Sequence, residues 1–186
     1  TERLNRGATI ADLGSGLGWA SIAMARQLPG ASVIGWDLDP ASVATARGNA
    51  AAAGVQVRFE QANAAAMGRE GPFDLITILE ALHDMSNPVE VLRAAREVLA
   101  DGGLVLIADE KVADRFTAPG DELERMMYGW SITHCLPAAM AEQPSAAIGT
   151  VLRAPIVHEL ARAAGFGSSE TLDVDAGFFQ LHVLRP

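Results

Sequence analysis

The chain is poor in several residues, and each shortage excludes something. Among 186 residues there is one cysteine, Cys135. It cannot close an internal disulfide, so a reducing, cytoplasmic setting is expected. Lys111 is the sole lysine, and the arginines are scattered singly. With a net charge of −9 and a pI of about 4.8, no basic cluster is available to neutralise phosphates. That argues against a DNA partner. No apolar run approaches the ~20 residues that a membrane helix requires, so no membrane association is expected. The opening residues show no signal-peptide pattern. The histidines at 83, 134, 158 and 182 have no metal-ligand spacing. His158-Glu159 begins like a zinc-protease motif, but Arg162 stands where the second histidine belongs. No structural or catalytic metal is expected.

What is present is globular. Hydrophobic residues make up 49% and charged residues 20% of the chain, enough for one domain, residues 1–186, with a substantial core. Strand and helix patterns alternate. Ala8 to Leu13 reads as a buried strand, and Trp19 to Leu28 as a helix ended by Pro29-Gly30. Ser32 to Leu38 is a second strand. Asp39-Pro40 caps a helix that Gly54 stops. Val55 to Glu60 alternates as a third strand, and Phe73 to Leu79 is a strong fourth. Asn87-Pro88-Val89-Glu90 has the form of a capping box on a helix running to Ala100. Asp101-Gly102-Gly103 turns into a fifth strand, Leu104 to Ala108. A helix from Pro155 to Ala164 and two strands, Glu170 to Val174 and Phe178 to Leu184, follow.

Alternating strands and helices predict an α/β, doubly wound, Rossmann-like sheet of seven mostly parallel strands, the last antiparallel. The pattern breaks at about 111–153, too long for a simple connection. This insertion is expected to be a helical lid. In it Leu123, Met126, Met127 and Trp130 mark one apolar helical face. Met127, Trp130 and His134 are spaced to share a face, and Tyr128 and Cys135 join them as pocket residues. Core packing is the simpler account of Leu123 and Met126. An unpaired apolar face there also suits a homodimer.

The segment ADLGSGLG holds the strongest local signal. Gly14, Gly16 and Gly18 alternate after the first strand, with Asp12 ahead of them. Dinucleotide folds use a different spacing, G-x-G-x-x-G. An acid at the turn would repel a pyrophosphate but attract an ammonium group. D-L-G-S-G-L-G, followed by Asp37 at the end of the next strand, resembles the first two motifs of class I S-adenosylmethionine-dependent methyltransferases. Further features agree in order: Gln61-Ala62-Asn63-Ala64, Phe73-Asp74-Leu75-Ile76, Leu99-Ala100-Asp101-Gly102-Gly103 and Ala164-Gly165-Phe166.

The resemblance implies a cofactor, S-adenosylmethionine, with S-adenosylhomocysteine as product, and it implies roles. The turn formed by Gly14, Ser15, Gly16 and Gly18 would lie against the methionine part. Asp12 would hold its amino group, directly or through water. Asp37 would take the ribose hydroxyls and Leu38 would pack on the adenine. Asn63, where the family more often has Asp, and the N–H of Ala64 would bind the adenine edge. Leu79 would pass beside the methionine part. Asp39 is better explained as a helix cap, and Asp74 as a strand-entry residue. A narrower likeness, carried by LHDMSNP, APGDELERMMYGWSITHCLP and AIGTVLR, is to a bacterial group with a winged-helix-like domain before the core; it implies that such a domain lies outside this chain.

Methyl transfer from a sulfonium mainly needs an aligned nucleophile, and a base where that nucleophile is a hydroxyl. His83 lies where the methyl should sit, with Asp84 placed to orient it; alternatively, His83 buttresses the loop before Asn87. Glu110 is a second candidate base or a solvated loop carboxylate, and His134 of the insertion is a third. The leading expectation is methylation of an O, N or C atom of a small molecule. Alternatives are a non-catalytic or truncated cofactor-binding module, and a methyltransferase acting on protein or RNA. A nicotinamide oxidoreductase is disfavoured by Asp12 and the glycine spacing.

Overall fold

The structure, a computed structural model, describes Leu4, residues 7–68 and residues 70–186; residues 1–3, 5, 6 and 69 lie outside them. The alternation of the sequence is realised as β1 (Thr9–Leu13), α1 (Trp19–Gln27), β2 (Ser32–Asp37), α2 (Pro40–Ala53), β3 (Arg58–Gln61), β4 (Phe73–Leu79), α3 (Pro88–Glu97) and β5 (Leu99–Glu110). Then come α4 (Glu122–Trp130), α5 (Leu136–Ala139), α6 (Ala154–Ala163), β6 (Ser168–Thr171) and β7 (Phe179–Arg185). The strands form one sheet in the order β3-β2-β1-β4-β5-β7-β6. β1 to β5 pair in parallel, while β7 runs antiparallel to both β5 and β6. The expected class I methyltransferase fold is therefore present.

The period of two along each central strand feeds two apolar layers. Ile10 and Val33 pack with Ala8 on one face. Ala11, Leu13, Ile34 and Trp36 join the main core with Val91, Leu92, Val157 and Ala161 on the other. Being covered on both faces is why these strands read as nearly continuous apolar runs. Trp36 meets Phe73 edge to face, with centroids 5.7 Å apart, worth about 1 kcal/mol beyond the area buried.

Local chemistry sets the boundaries. Asp39 caps α2 by accepting from the N–H of Ser42 at 2.8 Å, and Gly54 ends it at φ 68°. Four expectations are corrected. β3 starts at Arg58 rather than Val55. Asn87 makes no side-chain cap; Glu90 pairs with Arg93 instead of reaching back. α3 stops at Glu97, and Leu99 to Gly103 already belong to β5. They bulge out, because Phe73 faces Leu99 while Leu75 faces Leu104. The last strands shift to Ser168–Thr171 and Phe179–Arg185.

The strand order reverses between β1 and β4, since β1 pairs with β2 on one side and β4 on the other. Such a switch point opens a crevice at the carboxyl ends of the strands. The residues singled out after β1, β2, β4 and β5 converge there. No helix among the described residues is long and apolar enough to cross a membrane.

Candidate functional site

The floor of the crevice is the glycine turn. Asp12 stands opposite Thr77 of β4 and Gly35 of β2. Its side chain is buried, and its two oxygens accept from the hydroxyls of Thr77 at 2.9 Å and Ser21 at 2.6 Å. Burial raises its pKa, and these two hydrogen bonds oppose the rise. Asp12 thus ties β1 to β4 and to α1, beneath the turn. The N–H groups of Gly14 and Ser15 both donate to the carbonyl of Trp36 at 2.9 Å, folding the turn over β2.

The three glycines have different physical reasons. All have positive φ: 73° at Gly14, 51° at Gly16 and 81° at Gly18. A Cβ at Gly14 would come 2.5 Å from Cβ of Ala81, and one at Gly18 would come 2.6 Å from Phe59. Those two allow close packing. A Cβ at Gly16 would meet nothing within 4 Å. The space over Gly16 is where a ligand can approach the backbone.

Asp37 closes one wall. Its Oδ2 accepts from the N–H of Gly16 at 2.7 Å and its Oδ1 from that of Asp39 at 2.9 Å. Both oxygens are thereby oriented at the end of β2. Leu38 beside it is 52% exposed. Asn63 uses its amide oxygen to accept from the N–H of Ala65 at 2.9 Å, starting a 3₁₀ turn over Ala64–Ala66. Its amide nitrogen is the group left to turn outward. Ala64 is buried. Ser15 is buried with its hydroxyl unpartnered among the described residues. Leu79 is half-buried at the end of β4.

The opposite wall carries the titratable groups. After β4 the chain bends at Glu80, a non-glycine at φ 55°, into a 3₁₀ turn over Leu82–Asp84. The turn buries His83. Its Nδ1 donates to Oδ1 of Asp109 at 2.8 Å, while its Nε2 lies 3.4 Å from Oδ1 of Asp84. Glu110 Oε2 is 3.7 Å from Nδ1. The residue that orients His83 is therefore Asp109, not the expected Asp84. Asp109 was hidden in the sequence because it reads as the continuation of an apolar strand. The signal for it is an acid inside a strand that is otherwise buried.

Charge accumulates here. Burial alone would lower the His83 pKa, but the Asp109 hydrogen bond and the charges of Asp109, Asp84 and Glu110 carry it up to about 10. Burial, then neighbouring acids, lift Glu110 to about 7 and Glu80 to about 7. Buried Asp109 Oδ2 and Glu110 Oε2 meet no donor among the described residues. Glu110 is buried and lies beside Nδ1, so it is a neighbour of the pair rather than a solvated loop carboxylate.

The insertion is stitched to this loop. The N–H of Gly149 donates to the His83 carbonyl at 3.0 Å, that of Ala146 to the Ser86 carbonyl at 2.8 Å, and the Ser86 hydroxyl to the Ala139 carbonyl at 2.7 Å. Met127, Trp130 and His134, expected to share a face, differ in burial, and His134 lies near enough to Asp84 for its charge to lower that carboxyl's pKa. Met127 is fully buried, whereas Trp130, His134 and Met126 are exposed and Leu123 is half-buried. A π-helical stretch, Ser131–Cys135, resets the helical phase after Trp130. The buried side of α4 instead centres on Glu124, which is ion-paired to Arg153, and on Met127. Tyr128 is exposed and bonds Arg153 at 3.0 Å. Cys135 is buried, with its sulfur within 4.8 Å of an Asp84 carboxylate oxygen.

Comparison with known proteins agrees with this fold. A family model described as a methyltransferase domain matches residues 4–160. A ubiquinone biosynthesis O-methyltransferase of Pseudomonas paraeruginosa is 39% identical over 104 residues, which cover 55% of this chain and 44% of that protein. The enzyme of the same name from Pseudomonas fluorescens is 37% identical over 110 residues, covering 58% and 47%. An O-methyltransferase family protein from Burkholderia thailandensis superposes with a TM-score of 0.74 at 22% identity, over 100% of this chain and 52% of the other. Human N-acetylserotonin methyltransferase, in complex with SAM, gives 0.69 at 18% identity, over 98% and 48%. The chain spans about half the length of the relatives it matches.

Proposed function

The chain belongs to the class I S-adenosylmethionine-dependent methyltransferases, and from that premise we propose that it methylates a hydroxyl oxygen of a small molecule. The observation that carries the oxygen acceptor is the buried His83–Asp109 pair at 2.8 Å. An amine needs no such base; a hydroxyl does. The O-methyltransferase names of the relatives support the same reading.

The residues present fit S-adenosylmethionine. Open space over Gly16 admits the methionine part, and the oriented oxygens of Asp37 face the place of the ribose. Leu38 is exposed to carry the adenine, with Asn63 and Ala64 at its edge. Asp12 acts from below through Ser21 and Thr77, so its part in holding the amino group is electrostatic or through water. When bound, the cofactor would supply an activated methyl group on a sulfonium, with the thioether as leaving group.

His83 does the proton work. In its neutral form, with Nδ1–H held by Asp109, Nε2 takes the hydroxyl proton as the new C–O bond forms. A base raised to about 10 matches a phenol, whose pKa is also about 10. Transfer between them is nearly isoenergetic, so a phenolic acceptor suits the site. Residues 111–153 act as the lid that excludes water, and the setting is a reducing cytoplasm.

The test is calorimetric titration with S-adenosylhomocysteine, then a turnover screen of phenols against aliphatic alcohols and amines. Micromolar binding with turnover of phenols is the expected outcome, and His83→Gln should cut kcat by about 10²–10⁴ while leaving cofactor affinity unchanged. Turnover of amines alone, undiminished in that variant, would overturn the proposal.

A further inference from the structure

The histidine spacing conceals a donor set that the tertiary structure assembles. A ring nitrogen of His83, a carboxylate oxygen of Asp84 and the Cys135 sulfur all lie within 4.8 Å of one another, and Nε2 is the nitrogen that faces Asp84, at 3.4 Å. They come from the turn after β4 and from the π-helical stretch of the insertion, 51 residues on at Cys135. We propose that these three side chains form a binding site for a thiophilic divalent cation of the Zn²⁺ type, and that occupancy switches methyl transfer off.

Donor chemistry points to that ion. Thiolate, imidazole and carboxylate together favour zinc over the hard cations, which prefer oxygen alone. Spacing agrees. Ligands about 2.0 Å from a tetrahedral ion stand about 3.3 Å apart, and His83 Nε2 lies 3.4 Å from Asp84 Oδ1. The His83 side chain is only 4% exposed, and its Nε2 makes no hydrogen bond among the described residues. Asp84 Oδ1 is likewise buried without a donor. The two atoms face each other across 3.4 Å with no hydrogen bond between them.

The other ring nitrogen sharpens the assignment. A second cluster, His83 with Asp109 and Glu110, sits on the Nδ1 side. There the 2.8 Å hydrogen bond to Asp109 already occupies Nδ1. A metal-bound imidazole commonly donates its other N–H to a carboxylate, which fixes the ring. Asp109 has that geometry, which places the cation on the Nε2 side. Three protein ligands leave a fourth position open to water or an acceptor oxygen.

The consequence for activity rests on the reading of His83 as the base. A cation on Nε2 takes the lone pair that would accept the hydroxyl proton. Binding releases the proton of the Cys135 thiol, and that of His83 where the ring is charged, to solvent, so affinity rises with pH.

Cobalt titration of the full chain, under a non-thiol reductant, reads the site directly. Cys135 is the sole thiol, so a thiolate-to-cobalt absorption band reports that residue alone. One equivalent of Co²⁺ should raise the band, and Zn²⁺ should bleach it. The band should vanish in Cys135→Ser, and its midpoint should shift at least tenfold in Asp84→Asn. Far-ultraviolet dichroism checks that each variant folds, and Asp84→Asn stands in should Cys135→Ser fail. No band in the wild type, or a band unmoved in both Asp84→Asn and His83→Gln, would overturn the site. Turnover is then measured separately. Zn²⁺ should abolish it, a chelator should restore it, and Cys135→Ser should resist. A band without inhibition would keep the site but overturn both the switch and the role of His83 as base; the band itself needs no turnover to be read.

Discussion

Asp12 and Asp37 look alike in the sequence, yet their surroundings give them different work. Asp12 is buried and spends both oxygens on hydroxyls from α1 and β4. Asp37 spends its oxygens on two backbone N–H groups at the rim, which leaves its remaining lone pairs toward the crevice. Each hydrogen bond accepted by a charged group contributes about 1.5–3 kcal/mol. Asp37→Ala is therefore expected to weaken S-adenosylhomocysteine binding by about 10–100-fold by calorimetry, and to lower the thermal midpoint because the N–H groups of Gly16 and Asp39 lose their acceptor. At His83 the expected signature is in pH. The imidazole of the folded protein titrates at about 10, so kcat/KM should climb with pH toward that value as neutral His83 accumulates. Asp109→Asn removes the main group that lifts it and should move the inflection downward by more than one unit. A profile that does not move would take the proton work away from His83.

At the scale of elements, the glycine turn and the insertion make opposite demands. Gly18 must be bare because Phe59 and Ala46 of the neighbouring elements close on it. Gly18→Ala combines a positive φ with a 2.6 Å approach and should cost about 3 kcal/mol. Gly16→Ala pays only the positive φ, about 1–2 kcal/mol, but it fills the space over the turn. The pair separates packing from binding: denaturant melts should favour Gly16→Ala, and cofactor titrations should punish it. In the insertion, Glu124 is held by Arg153, both largely buried, ahead of α6. Glu124→Ala strands a cation and should cost about 3–5 kcal/mol, read as a lower chemical-denaturation midpoint. An unchanged midpoint would mean that α4 is held by Met127 and its neighbours alone. The exposed α4 residues Met126 and Trp130 were misplaced on a buried face because the periodic pattern cannot foresee the Glu124–Arg153 pair or the change of phase at Ser131.

The whole molecule distributes its polar burial unevenly. Beyond the crevice, a chain of hydrogen bonds runs from Ser169 through His158 and Thr171 to His182, between α6 and the last two strands. Burial, then the proximity of His158, lowers the His182 pKa to about 4. A histidine depressed in the folded state resists protonation that the unfolded chain accepts. Stability from this group is full above the unfolded value of about 6.5 and is lost as pH falls toward 4. The loss amounts to about 3 kcal/mol at most. Compared with His182→Gln, the wild type should therefore lose more stability between pH 6.5 and 4. Equal slopes in urea melts across that window would count against it. Glu110 and Glu80 titrate in part of the same window, and taking the difference between the two proteins removes their contribution.

Sequence alone determined the sheet and the glycine-turn side of the crevice. Alternating strands, caps at Asp39 and Gly54, and the glycine turn with Asp12 and Asp37 are local signals, written within a few residues of where they act. Backbone geometry converts them directly into structure. Only the tertiary structure decided the chemistry of the opposite wall. Asp109 reaches His83 because β4 and β5 are neighbours in register, and Cys135 reaches Asp84 because the insertion folds back onto the turn. Those partners are 26 and 51 residues apart in the chain. No local pattern encodes such a distance; burial and strand pairing do, by setting which buried charge must find which partner.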